Sequence, residues 1–128
     1  MRNALLLSLA VAVLAGGCTW VHMAPGAQAV RVIPAGGPPA GCEKRGDIQV
    51  SVKGKLGFYE RNPLRVREEL ETLARNEGPG LAADTLQPLD EPADGEQRFA
   101  AYRCGATVPV PTAVRPAQDG AQTYPIKE

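Results

Sequence analysis

Apolar residues recur along this chain at two different periods. In "DIQVSVK", residues 47–53, they alternate strictly: Ile48, Val50 and Val52 fall on one face, Gln49, Ser51 and Lys53 on the other. That is the period of a strand with one buried face. In "NPLRVREELETLARNEG", residues 62–78, Val66, Leu70, Leu73 and Ala74 are spaced four, three and one apart, which makes the apolar stripe of a helix. Asn62 is placed to cap that helix, Pro63 takes its first position, and Gly78 followed by Pro79 ends it. Three weaker strand signals complete the set: "QAVRVI" at 28–33, "DTLQPL" at 84–89, limited by Pro88, and "QRFAAYRC" at 97–104. "PAGGPPAG" at 34–41 is a Pro/Gly loop, and "DEPADGE" at 90–96 is an acidic turn. The pattern predicts an α+β fold, a small sheet of about four short strands with one helix packed on one face.

On the exposed side of the helix, Arg65 with Glu69, Arg67 with Glu71, and Glu71 with Arg75 stand four apart. Each such pair adds about 0.2–0.5 kcal/mol, whereas Arg65 and Arg67 in the first turns oppose the helix dipole. The default reading of this charge is a solvated face, and the alternative is a stripe that binds a partner.

The two ends of the chain stand apart from this core. Residues 1–17 read as a secretory signal, with Arg2 as the basic start and "ALLLSLAVAVLA" as the apolar segment. That segment is too short for the roughly 20 residues a spanning helix needs. The other reading is an N-terminal anchor or a buried helix. Ala15, Gly16 and Gly17 directly before Cys18 resemble the lipobox of bacterial lipoproteins, which implies cleavage before Cys18 and its lipidation. Here Leu14 lies one place early and Ala15 stands where leucine is preferred. Plain cleavage after "GAQA", giving a soluble periplasmic protein, is the competing outcome. Thr19 rather than aspartate after the cysteine implies, by the same analogy, sorting to the outer membrane. Residues 18–27 then form a lipidated tether, whose residues 19–27 reach about 30 Å when extended. At the other end, residues 105–128 carry four prolines without helical or alternating pattern and read as a flexible, disordered tail. The compact unit predicted is residues 28–104.

Cleavage alters the charge and cysteine accounts. The 14 basic residues balance 14 acidic ones in the full chain, and loss of Arg2 leaves 13 against 14, a net charge near −1. Such a chain has no electrostatic footprint for nucleic acid. Two cysteines remain, Cys42 and Cys104, and in an oxidising compartment an even pair reads as a disulfide. Closing a loop of this length is worth roughly 4 kcal/mol in the chain-entropy model, comparable with the whole stability of so small a domain.

Catalytic and metal chemistry find little purchase. His22 is the single histidine and lies in the tether; Ser51 is the only serine beyond the signal and sits on a polar strand face. Neither a nucleophile–base pair nor a calcium-loop or zinc spacing results, and no phosphate-binding glycine loop is present. The adjacent acids Glu68/Glu69 and Asp90/Glu91 point apart or stay solvated. No catalytic residue, metal site or cofactor is predicted. Charge is unevenly placed, with seven basic side chains in 43–67 and five acids without a base in 84–96. Either these segments occupy different faces and orient the domain toward lipid headgroups or a partner, or they neighbour and neutralise each other.

Cys42 with Gly46, "DIQVSV", "EELETLARNE", "ADT" at 83–85 and "GEQRFAAYRC" at 95–104, in this order behind a lipobox, resemble a family of small proteobacterial lipoproteins classed as a domain of unknown function. That family is similar in layout to the Rcs envelope-stress sensor lipoprotein. The resemblance covers most of 42–104 and implies the Cys42–Cys104 bridge and a small disulfide-stabilised α/β domain, but no activity. Two differences stand out: Gly78, Pro79 and Gly80 end the helix earlier than in relatives, and the sensor has two bridges and a long Pro-rich linker. The function expected is that of a non-enzymatic, lipid-anchored envelope component that binds another envelope protein, with stress sensing as the role the resemblance implies. The alternative is a structural or small-ligand-binding periplasmic lipoprotein.

Overall fold

The computed structural model describes residues 21–53, 55–56, 59–105 and 118–127. The signal segment, Cys18 and residues 106–117 lie outside them. In chain order the elements are β1 (Arg31–Val32), β2 (Glu43–Ser51), β3 (Lys55–Leu56), β4 (Tyr59–Glu60), α1 (Pro63–Glu77), β5 (Thr85–Pro88), β6 (Glu96–Arg103) and β7 (Ala121–Pro125). One 3-10 turn, Ala27–Ala29, precedes β1, and another, Gly78–Leu81, follows α1. The main sheet has the order β1-β5-β6-β2-β7, and β3 and β4 form a separate two-stranded ribbon. β1 runs parallel to β5, whereas every other pairing in the main sheet is antiparallel. The fold is thus the expected α+β arrangement, with five strands in its sheet instead of four.

The centre of the sheet forms where the alternation is strongest. Ile48 and Val50 of β2 stand opposite Phe99 and Gln97 of β6, and Leu86 of β5 faces Ala101. These side chains meet Val66, Leu70, Leu73 and Ala74 of α1 in one buried cluster that also takes in Val30, Leu81 and Ala83. Asn62 caps the helix by accepting from the Leu64 N–H at 2.9 Å, Pro63 holds the first position and the helix ends at Glu77 before Gly78. β6 is entered through Asp94 and Gly95, both at positive φ (52° and 75°). Ala93 and Glu96 exchange backbone hydrogen bonds of 3.0 and 2.9 Å across them, so the acidic turn is a tight two-residue hairpin.

The termini of the unit differ from expectation. Residues 21–27, read as a tether, are packed: Val21 lies against the core cluster and Ala27 is buried. The last part of the segment read as a flexible tail is a strand, β7, paired with β2 from Gly46↔Pro125 to Val50↔Ala121. It was hidden because only Ala121 reaches the core while the other four residues are exposed. An edge strand held by its backbone needs no hydrophobic alternation.

The back of the sheet carries no helix, yet Thr85, Gln87, Ala100 and Tyr102, which share it, are at most 6 % exposed. The Pro/Gly segment between β1 and β2 lies there. β1 and β2 are separated in the sheet by β5 and β6, so their connection has to cross that face. The Gln87 side-chain amide donates to the carbonyls of Pro34 and Gly37, both at 3.1 Å.

Candidate functional site

Three constellations of side chains go beyond simple packing. The first fixes the N-terminal segment. The Asn76 side chain, buried in the last turn of α1, accepts from the Ala24 N–H at 2.7 Å and donates to the His22 carbonyl at 2.9 Å. One amide thereby satisfies two backbone groups of a strand-like segment, which is how an irregular segment is docked without a ladder. The described residues start at Val21, and two residues separate Val21 from Cys18. His22 is exposed and takes part through its backbone.

The second is the seam at the end of the β2–β6 ladder. Glu43 pairs with Arg103, and one position further out Cys42 and Cys104 form a disulfide across 62 residues of sequence. The buried Asp84 carboxylate accepts from the Cys104 N–H at 2.9 and 3.1 Å and from the Thr85 hydroxyl at 2.8 Å. That hydroxyl in turn accepts from Arg31 Nε at 3.1 Å. The bridge therefore sits on a polar chain that joins β1, β5 and β6. A buried carboxylate is tolerable because it takes several hydrogen bonds. The "ADT" motif thus supplies the anchor for the backbone of the second bridge cysteine.

The third is the distribution of charge. Arg67 of α1 reaches Glu91 at 2.8 Å, so at this point the basic and acidic segments neighbour and neutralise each other. Glu71 pairs with Arg75 four residues on, at 2.8 Å. Glu69 receives Arg61, which donates to both of its carboxylate oxygens and to the Lys53 carbonyl at 2.9 Å. This hydrogen-bonded pair raises the Arg61 pKa against the opposing effect of burial and ties the residue before the helix cap to the helix. Asp90 accepts from the Arg98 N–H and from its guanidinium, both at 2.8 Å. Burial pushes the Asp90 carboxyl upward, but the Arg98 hydrogen bonds and charge outweigh it and hold it below the usual carboxylate range.

Of the residues picked out in the sequence, Cys42 and Cys104 are brought together as a bridge, whereas Cys18 lies outside the described residues. Ser51 ends β2 opposite Glu96. Among the described residues no group of three or more His, Cys, Asp or Glu side chains is placed to hold a metal ion. Also among them, no helix is long and apolar enough to cross a membrane. Asn76, Asp84 and Gln87 are the working polar residues that sequence reasoning missed. Each is a polar residue within or beside an apolar pattern, and that was the one available signal.

No curated protein and no solved structure matches the chain. Residues 21–104 match the model of a family described as a domain of unknown function (DUF4156). The match begins where Val21 docks and ends at the second bridge cysteine. It spans well over half of the 128 residues, and the chain belongs to this family.

Proposed function

We propose that this protein is a lipid-anchored component of the bacterial outer membrane that faces the periplasm and acts, without catalysis, as a docking module for another envelope protein, with a place in stress sensing. The observation that carries the reading is the position of Cys18. It follows an apolar run and three small residues, and stands only three residues before Val21, a side chain packed against the core. Three extended residues reach about 10 Å. Lipidated there, the domain is held against the headgroups rather than on a long leash, and its partner is a protein exposed at the same surface. Acyl chains contribute about 0.8 kcal/mol per buried methylene, enough for stable anchoring when several are attached.

Two measurements test this in order. Labelled palmitate fed to cells is expected to enter the native chain and not Cys18→Ser. Incorporation that survives the substitution, or none at all, removes the anchor from the reading. Cross-linking in intact cells, followed by mass spectrometry, is expected to capture one discrete envelope protein that is lost with Cys18→Ser. A chain that stays uncross-linked while correctly lipidated overturns the docking role and leaves the anchor standing.

A further inference from the structure

The C-terminal strand is tied to the rest of the fold mainly through its backbone pairing with β2. The family match ends at Cys104, so β7 lies beyond the matched residues and is joined to them through residues 105–120. It covers an edge of β2 that the domain of residues 21–104 would otherwise leave bare. Bare edges present a row of unpaired N–H and C=O groups and accept further strands.

The fit between β2 and β7 is specific in its backbone. A Cβ on Gly46 would come within 2.4 Å of the Tyr124 carbonyl oxygen, and one on Gly120 within 2.3 Å of the Ser51 carbonyl oxygen. Two positions without side chains, one on β2 and one directly before β7, thus let the chains approach. Backbone bonds mark both ends of the contact, from the Ser51 N–H to the Gly120 carbonyl and, at 3.2 Å, from the Ile126 N–H to the Arg45 carbonyl. Side-chain burial contributes little, since Gln122, Thr123, Tyr124 and Pro125 are exposed. Such a contact is selective by shape, and of the β7 side chains its release withdraws only Ala121 from the core.

We propose that the β2 edge is a strand-acceptor site, filled within one chain by Ala121–Pro125 and equally open to the same segment of a second copy, so that strand exchange joins two copies. The second copy is the occupant because it alone carries by necessity the segment already seen seated on this edge, including its Gly120. Exchange of an identical element is a low-cost route to a dimer. Growth beyond two is opposed, since Pro125 brings no N–H to a further ladder and the opposite edge, β1, is two residues long. This proposal does not depend on lipidation, although copies sharing one membrane would meet more often.

The test uses full chains carrying Cys18→Ser, so that Cys42 and Cys104 are the only other cysteines. Gln49 and Gln122 are direct partners across the β2–β7 ladder, and such partners lie about 4.5–5.5 Å apart at Cα, within disulfide reach. One chain carries Gln49→Cys and the other Gln122→Cys; they are mixed under mild oxidation and resolved without reductant. A covalent heterodimer is expected, and a tenfold rise in concentration should raise the trapped fraction about tenfold while it remains minor. Adding Gly120→Val to the Gln122→Cys chain should abolish it, while the unaltered family domain keeps its cooperative melting. A chain carrying both cysteines should close on itself when dilute.

Three results would overturn the proposal. The heterodimer could form no faster than one trapped between Gln122→Cys and an exposed control, Gln28→Cys. The double variant could fail to close within one chain. An unrelated extended peptide with a cysteine could be trapped on Gln49→Cys as readily as the second copy.

Discussion

The two faces of the sheet are both buried at their centre, but by opposite means. On one, α1 lays Val66, Leu70, Leu73 and Ala74 against Ile48, Val50, Leu86 and Phe99. On the other, a Pro/Gly segment crosses Thr85, Gln87, Ala100 and Tyr102, and its carbonyls take hydrogen bonds from Gln87. The helical face is held by apolar area and is indifferent to direction. The loop face is held by directional bonds, and by a disulfide at the point where the loop enters β2. A helix satisfies its own backbone, so its side chains alone meet the sheet. A loop cannot, and the sheet beneath it must supply donors.

The sharpest way to break the comparison is at the helical face. Phe99 is the largest fully buried side chain among the described residues, and Phe99→Ala should cost about 3–5 kcal/mol, read as a shift in the urea midpoint. Loss of the whole cooperative transition at ordinary temperature is an acceptable outcome for so small a domain, whereas a shift equivalent to less than about 1 kcal/mol would mean that this face is not the core.

Next in size is the bridge. Replacing Cys42 and Cys104 together by Ser should cost roughly 4 kcal/mol in the chain-entropy model for a separation of this length. The comparison makes a regional claim as well. Amide exchange in the variant should rise first in residues 34–42 and at Cys104, while Leu70 and Leu73 keep their relative protection. Uniform loss of protection would show that the two faces are one cooperative unit.

These elements also show what the sequence could and could not reveal. The alternation in "DIQVSVK", the Asn62–Pro63 start of the helix and the pairing of two cysteines were legible because each is a local rule. The helical face followed from them. The loop face did not, because "PAGGPPAG" carries no apolar signal and its contacts are made by its carbonyls to a side chain about fifty positions away. Docking of residues 21–24 by Asn76 was hidden for the same reason. β7 was hidden by its proline and by exposure, since backbone pairing leaves no trace in side-chain pattern.

A smaller change isolates the directional bonds of the loop face. Gln87→Leu keeps the bulk of the side chain and removes both hydrogen bonds to Pro34 and Gly37. It should cost about 1–2 kcal/mol, and limited proteolysis should now cut within 34–41 under conditions where the native chain resists. A stabilised variant with unchanged proteolysis would mean that burial alone, not bonding, holds the loop down.

The smallest effect lies where the back face meets solvent, beyond the segment that covers Gln87. Asp90 and Arg98 form a charged and largely exposed clasp there. With the Asp90 pKa held below that of the unfolded chain, the clasp stabilises fully above about pH 4 and loses its contribution as the pH falls through the folded-state value. Solvent screening keeps it small. Asp90→Asn keeps an acceptor for the Arg98 N–H and removes the charge together with the oxygen that accepts from Arg98 Nε. The variant should therefore be slightly less stable than the native chain at neutral pH, and the two should converge on acidification. A stability difference that is the same in acid and at neutrality would assign the clasp to hydrogen bonding rather than charge, and so make this exposed margin an extension of the directional face and not a third kind of surface.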